Sequence, residues 1–458
     1  MKVHLIAIGG SAMHNLAIAL FQKGIEVTGS DDEIFEPSLS RLKQRGLLPE
    51  SEGWFPEKIH NGLDAVIVGM HARKDNPELL RAKELNLKVF SYPEYIYEQT
   101  REKIRIVIGG SHGKTSTTAM ILHVMNACGI ECDFLVGAQL DGFDCMVKFS
   151  PTSRFAVIEG DEYLSSPTDL RPKFHLYHPD IALLTGIAWD HINVFPTFEN
   201  YVEQFSIFLD KITPGGTLVY CEKDPEVKKL AESHNGDFSR IPYGTHDHEV
   251  SNGVTILRTQ QGEKIPLKIF GDHNLQNLNG ALQVCLSAGI KAEDFYRAIS
   301  SFKGAARRLE PVKETPDSVV YKDFAHSPSK LKATTSAFKK QFPNRKLVAC
   351  MELHTFSSLN SKFLSEYEGA MAEADIAYVY FNPHTIEHKK LPPISPEQVQ
   401  SAFGFENVVV LTDSKKLVSE LKAMNWENSN LLLMTSGNFD GVDFRQLADE
   451  LLPEVKSA

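Results

Sequence analysis

The sequence predicts an α/β protein of three successive domains, each a mainly parallel sheet covered by helices. Three observations predict it. Strand-like apolar runs alternate with helix-period segments along the chain, the pattern of parallel sheets with covering helices. That alternation restarts near Ile104 and again after Arg307-Arg308-Leu309-Glu310. The 458 residues, 42% hydrophobic and 23% charged, have the balance of a soluble globular chain with room for several cores. The boundaries expected are 1–99, 100–309 and 310–458, with no internal repeat, low-complexity tract or long linker.

The first segment opens on a strand at Val3–Ile8 and turns at Gly9-Gly10. A helix from Met13 to Lys23 follows, then a strand at Glu26–Gly29 ending in Ser30-Asp31-Asp32. A further strand, Ala65–Val68, runs into a polar loop from His71 to Asn76. A strand, glycine turn, helix, strand and acidic residue in that order suit a nucleotide site at the carboxyl ends of the strands. The Gly-x-Gly-x-x-Gly pattern is absent, so ordinary turn and cap residues explain the segment equally well. The second segment carries strands at Ile104–Ile108, Phe155–Ile158 and Ile181–Leu184. The third carries them near 318–321, 346–351, 376–381, 408–411 and 431–434.

A net charge of −11 argues against a general nucleic-acid binder, which needs clustered cations to displace counterions. No apolar run is long enough to span a membrane, and the first residues lack the pattern of a secretion signal, so a cytoplasmic location is expected. Six scattered cysteines suit a reducing compartment and lack the spacing of a zinc site.

The strongest local signal is Gly109-Gly110-Ser111-His112-Gly113-Lys114-Thr115-Ser116, between a strand and a helix with Met120, Ile121, Val124 and Met125 on its apolar face. Glycines there let backbone N–H groups surround a phosphate, Lys114 reaches its outer oxygens, and the Thr115 hydroxyl can ligate Mg²⁺. Ile108 stands where a full Walker A motif has its first glycine, and a Gly-rich surface turn is the plainer alternative. Glu159, Asp161 and Glu162 follow the strand 155–158, where a Mg²⁺ ligand would lie. A solvated acidic loop accounts for them as well. His191 by chemistry alone is more often a cap or loop residue than a Mg²⁺ ligand.

In order and approximate spacing, six stretches resemble the Mur ligases: Gly110–Thr115, Glu159–Glu162, Asp190-His191, Gly271–Asn277, Arg307–Glu310 and Asp323–His326. The resemblance covers nearly the whole chain. It implies an N-terminal Rossmann-like UDP-binding domain, a central P-loop ATPase-like domain and a C-terminal Rossmann-like domain. It also implies an ATP-dependent ligase that forms an amide through an acyl phosphate, with ATP as co-substrate and Mg²⁺ as metal. Carried over residue by residue, Gly110, Ser111, His112, Gly113, Lys114, Thr115 and Ser116 form the ATP phosphate site. Thr115, Glu159 and His191 hold metal, Asn274 and Asn277 hold adenine, and Arg308 and Asp323 reach the γ-phosphate and the ribose. Lys114, Glu159, His191 and Arg308 are then the catalytic set, and His326 lies near the closing interface. Gly10, Ser11, Ser30, Asp31, His71 and Asn76 face the UDP substrate.

The lysine that several members place after the Asp-His pair is missing from Phe198–Ser206 and first appears at Lys211. Within the family this leaves two branches acting on UDP-N-acetylmuramate. One adds the tripeptide L-Ala-γ-D-Glu-meso-diaminopimelate in peptidoglycan recycling, and Gly9-Gly10, Tyr163 and the basic stretch Asp169–Phe174 favour it. The alternative adds L-alanine in biosynthesis. Other classes to weigh are a non-catalytic UDP-sugar- or ATP-binding protein and a generic P-loop ATPase. Four intact groups, Lys114, Thr115, Glu159 and His191, weigh against the first, and the stretch 273–277 against the second.

Overall fold

A computed structural model describes residues 1–137, 143–189, 194–251, 253–304, 309–405 and 407–453. The chain forms two compact units. One comprises Met1–Gly244 with Gln276–Ile299, the other Thr245–Leu275 with the chain from Ser300 onward.

The first unit begins β1 (Lys2–Ile6), α1 (Ser11–Gln22), β2 (Glu26–Ser30), α2 (Ser38–Lys43), β3 (Ala65–Val68), α3 (Pro77–Glu84), β4 (Val89–Ser91) and α4 (Tyr92–Thr100). Their strands make a four-stranded parallel sheet in the order β2-β1-β3-β4. Helix starts are written into the sequence. Asn76 accepts the N–H groups of Glu78 and Leu79 ahead of Pro77, and Ser91 forms a reciprocal capping box with Glu94.

It continues with β5 (Ile104–Gly109), α5 (Lys114–Ala127), β6 (Cys132–Leu135), β7 (Val147–Lys148), β8 (Phe155–Glu159), β9 (Ile181–Leu184), α6 (Phe198–Leu209), β10 (Gly216–Cys221), α7 (Pro225–Ser233) and β11 (Phe238–Tyr243). These strands form a seven-stranded sheet ordered β11-β10-β9-β5-β8-β6-β7, parallel except for β7. β5 lies between β8 and β9, with Ile108 level with Glu159 and Gly109 level with Leu184. That register carries the glycine loop after β5 to the carboxyl ends of both neighbours. All five residues of β8 are buried, as a strand covered on both faces requires. One core runs from Val3 and Leu16 to Phe174, Tyr201 and Phe208.

The second unit opens with an antiparallel sheet that the sequence pattern does not disclose: β12 (His248–Ser251), β13 (Val254–Arg258) and β14 (Lys264–Pro266). Helix α8 (Asp272–Ser287) starts in this unit and runs into the other, followed there by α9 (Ala292–Ile299). The remainder is β15 (Glu310–Glu314), β16 (Val319–Asp323), α10 (Pro328–Gln341), β17 (Lys346–Leu353), β18 (Ile376–Phe381), α11 (Pro383–His388), α12 (Pro396–Phe403), β19 (Val408–Leu411), α13 (Ser414–Lys422), β20 (Ser429–Met434) and α14 (Phe444–Leu451). The sheet order is β15-β16-β20-β17-β18-β19, with β15 antiparallel to its neighbour. Around it pack Val348, Tyr378, Leu431 and Phe439.

The predicted strands are present, with three differences of consequence. The strands expected to end at 158, 321 and 351 run on to Glu159, Asp323 and Glu352, because the ladders with β5, β20 and β18 extend to them. No helix among the described residues is long and apolar enough to cross a membrane.

Candidate active site

The site is built where β5 meets α5. Gly113 caps the helix at φ +77° with Asn277 packed against it, so any side chain at 113 would be strained and would collide with Asn277. The loop is braced by the segment that follows β9. The Ser111 N–H and hydroxyl both donate to the Gly186 carbonyl, at 2.9 and 3.0 Å, and the Thr185 hydroxyl donates to the His112 carbonyl. Ser111 Oγ also accepts the Ala188 N–H at 2.6 Å. No side chain caps α5, so its first N–H groups and the positive end of its dipole face the loop.

Three carboxylates at the end of β8 take three separate partners. Glu159 Oε1 accepts the Thr115 hydroxyl at 2.8 Å, and its Oε2 accepts the Gly137 N–H at 2.9 Å. Asp161 pairs with Lys173 at 2.5 Å. Glu162, with 1% of its side chain exposed, pairs with Lys114 at 2.6 Å and accepts the Tyr201 hydroxyl at 3.2 Å. The electrostatics follow. Burial pushes the Glu159 carboxyl above its usual value, against the Gly137 N–H and the Lys114 charge. For Lys114, burial acts downward, but Glu162, Asp161 and Glu159 outweigh it and hold the ammonium above the usual lysine range. For Asp161 burial acts upward and is overcome by Lys173 and Lys114, which bring it to about 2.

Glu159 and Thr115 are the expected oxygen ligands for Mg²⁺, and they are in contact. A buried carboxylate whose ionised form is disfavoured gains from a divalent cation, so this pair fits a hard metal completed by phosphate oxygens and water. Among the described residues no group of three or more His, Cys, Asp and Glu converges as a metal cage. The expected ligand His191 lies outside the described residues, as does Arg308.

The other expected residues fall in both units. Asn277 lies on the phosphate loop through Gly113, whereas the Asn274 amide donates to the Phe270 carbonyl at 2.9 Å, one turn earlier. Both oxygens of Asp323 accept backbone N–H groups, of Leu309 at 2.6 Å and of Ala325 at 2.7 Å. His326 Nδ1 lies 2.8 Å from the Phe324 carbonyl. In the first domain the Gly9 N–H donates to Asp31 at 2.7 Å, and a side chain at Gly9 would run into Asp31 and Ile34. Gly10 is the N-cap of α1 without a side-chain hydrogen bond, and Ser11 is its first, exposed residue. Ser30 is buried, its carbonyl accepting the Ala7 and Ile8 N–H groups. Burial raises the Asp31 carboxyl to about 6, with the Gly9 N–H opposing and Asp32 adding to the rise. His71 is exposed on the following loop. Asn76 is buried, and its side-chain oxygen caps α3.

Two features escaped the motif reading. Glu162 holds Lys114 through a contact 48 residues apart, and Tyr201 holds Glu162 from 39 residues away. An aromatic inside an amphipathic helix gives no local sign of this. The basic stretch 169–174 also changes meaning. Arg171 pairs with Asp169 and Glu94, and Lys173 with Asp161, so both cations already hold carboxylates of the chain.

A glycine loop between a parallel strand and a helix, with a lysine, a threonine and a buried carboxylate converging on it, defines a nucleotide-phosphate site of the phosphate-loop class. The Mur ligase family catalytic domain matches residues 2–103, the Mur ligase middle domain 108–285, and the Mur ligase glutamate ligase domain 307–438. UDP-N-acetylmuramate–L-alanine ligase of Lactobacillus johnsonii is 30% identical over 391 residues, covering 82% of this chain and 84% of that protein. The enzyme of the same name from Lactiplantibacillus plantarum is 28% identical over 449 residues, covering 95% of each. Among solved structures, a murein peptide ligase from Psychrobacter arcticus superposes with a TM-score of 0.65 at 22% identity, over 99% of both chains. The UDP-N-acetylmuramate-alanine ligase MurC of Thermotoga maritima gives 0.69 at 20% identity, over 98% of both. The chain belongs to the Mur ligase family of ATP-dependent, amide-bond-forming ligases.

Proposed function

We propose that the chain joins the carboxylate of UDP-N-acetylmuramate to the amine of L-alanine, a reading that replaces the tripeptide as first choice. The single observation that carries it is the similarity, along 82–95% of the chain, to relatives named for that reaction. The pairing of Arg171 and Lys173 within the chain supports it, since it removes the basic patch that favoured a carboxylate-rich peptide. Tyr163 and the Gly9-Gly10 turn keep the tripeptide as the second reading. In the proposed division of labour, residues 1–99 bind the UDP substrate, 100–309 the nucleotide, and 310–458 the amine.

A carboxylate acylates poorly because oxide is a bad leaving group. Transfer of the γ-phosphoryl group of ATP to the carboxylate oxygen gives an acyl phosphate and ADP. The amine then attacks the acyl carbon, phosphate leaves, and the nitrogen loses a proton. In this reading the loop N–H groups and α5 hold the β-phosphate, and Lys114 offsets charge on the transferring group. Thr115 and Glu159 would hold a Mg²⁺, which would supply charge neutralisation for the phosphates of the nucleotide. Arg308 and His191 are proposed to complete the set, with Asn274, Asn277 and Asp323 on the nucleoside. Gly10 and Ser11 would serve the UDP diphosphate, Ser30 and Asp31 the uridine, and His71 and Asn76 the muramyl side.

Phosphate release from ATP and Mg²⁺ with UDP-N-acetylmuramate tests this, with L-alanine or the tripeptide as amine. Turnover with L-alanine is expected. Turnover with the tripeptide alone restores the recycling reading, and nucleotide binding without amine-dependent turnover would favour a binding protein.

A further inference from the structure

Lys114 is placed by a buried relay that starts on α6. Its ammonium donates to Glu162 at 2.6 Å and to the Gly110 carbonyl at 2.5 Å, the carbonyl that opens the phosphate loop. An ammonium has three N–H bonds, and these contacts commit two of them. Glu162 is itself anchored, through Oε1, by the Tyr201 hydroxyl. Tyr201 is fully buried, with ring contacts to Phe195 at 5.4 Å and Phe205 at 5.1 Å. The three carboxylates of the turn are therefore not equivalent. Glu159 reaches Thr115, Asp161 is taken by the partly exposed Lys173, and Glu162 alone grips Lys114.

We propose that Glu162, locked by Tyr201, is a positioning residue that fixes the Lys114 ammonium on the phosphate loop for the γ-phosphoryl group of ATP. The inference rests on the ATP-dependent ligase reading of the same site. A lysine side chain has four rotatable bonds, and left free it would sample positions useless to the transition state. Tied to a buried carboxylate that is tied to a rigid helix, it meets developing charge already in place, which helps the transition state more than ground-state binding.

The test uses the full chain and the variants Glu162→Gln and Tyr201→Phe, with kcat and KM for ATP measured separately, and thermal midpoints. Glu162→Gln keeps the shape and the acceptor for Tyr201 but loses the charge. Its kcat is expected to fall about 10- to 100-fold, with KM for ATP moving less than about 3-fold. Tyr201→Phe keeps the ring packing and loses only the hydroxyl, so kcat should fall about 3- to 10-fold, again without a matching rise in KM. In the double variant the losses should be less than multiplicative, because both act through Lys114. Wild-type kcat in a folded Glu162→Gln chain would overturn the inference. So would tighter ATP binding at unchanged kcat, which would make Glu162 a competitor of phosphate. Should Glu162→Gln fail to fold, Tyr201→Phe decides alone, and wild-type kcat there overturns the relay. A wild-type chain without amine-dependent turnover would overturn the ligase reading itself, a result distinct from an active Glu162→Gln.

Discussion

Two strand–glycine–helix turns occupy equivalent places in the first unit, one after β1 and one after β5, and they differ in what meets the glycines. At the β5 turn Lys114, Thr115 and Glu159 converge, with Glu162 and Tyr201 behind them. At the β1 turn the group that meets the glycines is the Asp31 carboxylate, its ionised form disfavoured by burial. The backbone device is shared, an uncapped helix N-terminus offering N–H groups. The difference teaches that this device alone suits holding a ligand, whereas transferring a phosphoryl group calls for an added cation, hydroxyl and buried carboxylate.

That contrast breaks most visibly at Lys114. Lys114→Met should abolish turnover and also break the buried ion pair with Glu162, at a cost of about 3–5 kcal/mol. Denaturant unfolding checks this. Adding Glu162→Gln should return much of the stability but none of the activity, and a double variant as unstable as the single one would contradict the pairing.

Gly113→Ala should come next. The αL backbone and the collision with Asn277 together should cost about 1–3 kcal/mol and weaken nucleotide binding, read by calorimetry with ADP.

At the other turn, Asp31 supplies a pH signature of opposite character. Its carboxyl is raised in the folded chain, to about 6 from an ordinary 3.8, so folding favours the protonated form. The stabilisation is fully present below pH about 4 and is lost as pH rises through about 6. Asp31→Asn should therefore stabilise the chain by up to about 3 kcal/mol at pH 7 and by little at pH 3.5. Equal effects at both pH values would show that Asp31 is not strained by ionisation.

The smallest effect belongs to Arg171, which is more than half exposed and paired on the surface. Arg171→Ala should change stability by less than about 1 kcal/mol and leave turnover with L-alanine intact. Selective loss of tripeptide turnover in that variant would sharpen the account toward the second reading.

Much of this site is legible from local sequence. Gly113-Lys114-Thr115 between an apolar strand and a helix specifies its own conformation, and Asn76 before Pro77 announces a cap as clearly as a ligand contact. Glu159 was readable as a site residue, though as one following β8 rather than ending it, since ladder length depends on the neighbouring strand. What stayed hidden depends on distant partners. The sequence shows that 159–162 is acidic, yet not which carboxylate meets Thr115, Lys173 or Lys114. Nor does it show that the basic stretch at 171–173 is neutralised. The hairpins of β12–β14 are short and partly exposed, with weak alternation, so no periodicity marks them.

The central claim is that this site activates a carboxylate by phosphorylation before an amine attacks. The most direct measurement is ¹⁸O tracing, with UDP-N-acetylmuramate labelled in its carboxylate and L-alanine as amine. The account predicts one labelled oxygen in each phosphate released, in step with amide formation. Phosphate without label, its fourth oxygen taken from water, would mean simple ATP hydrolysis and would contradict it.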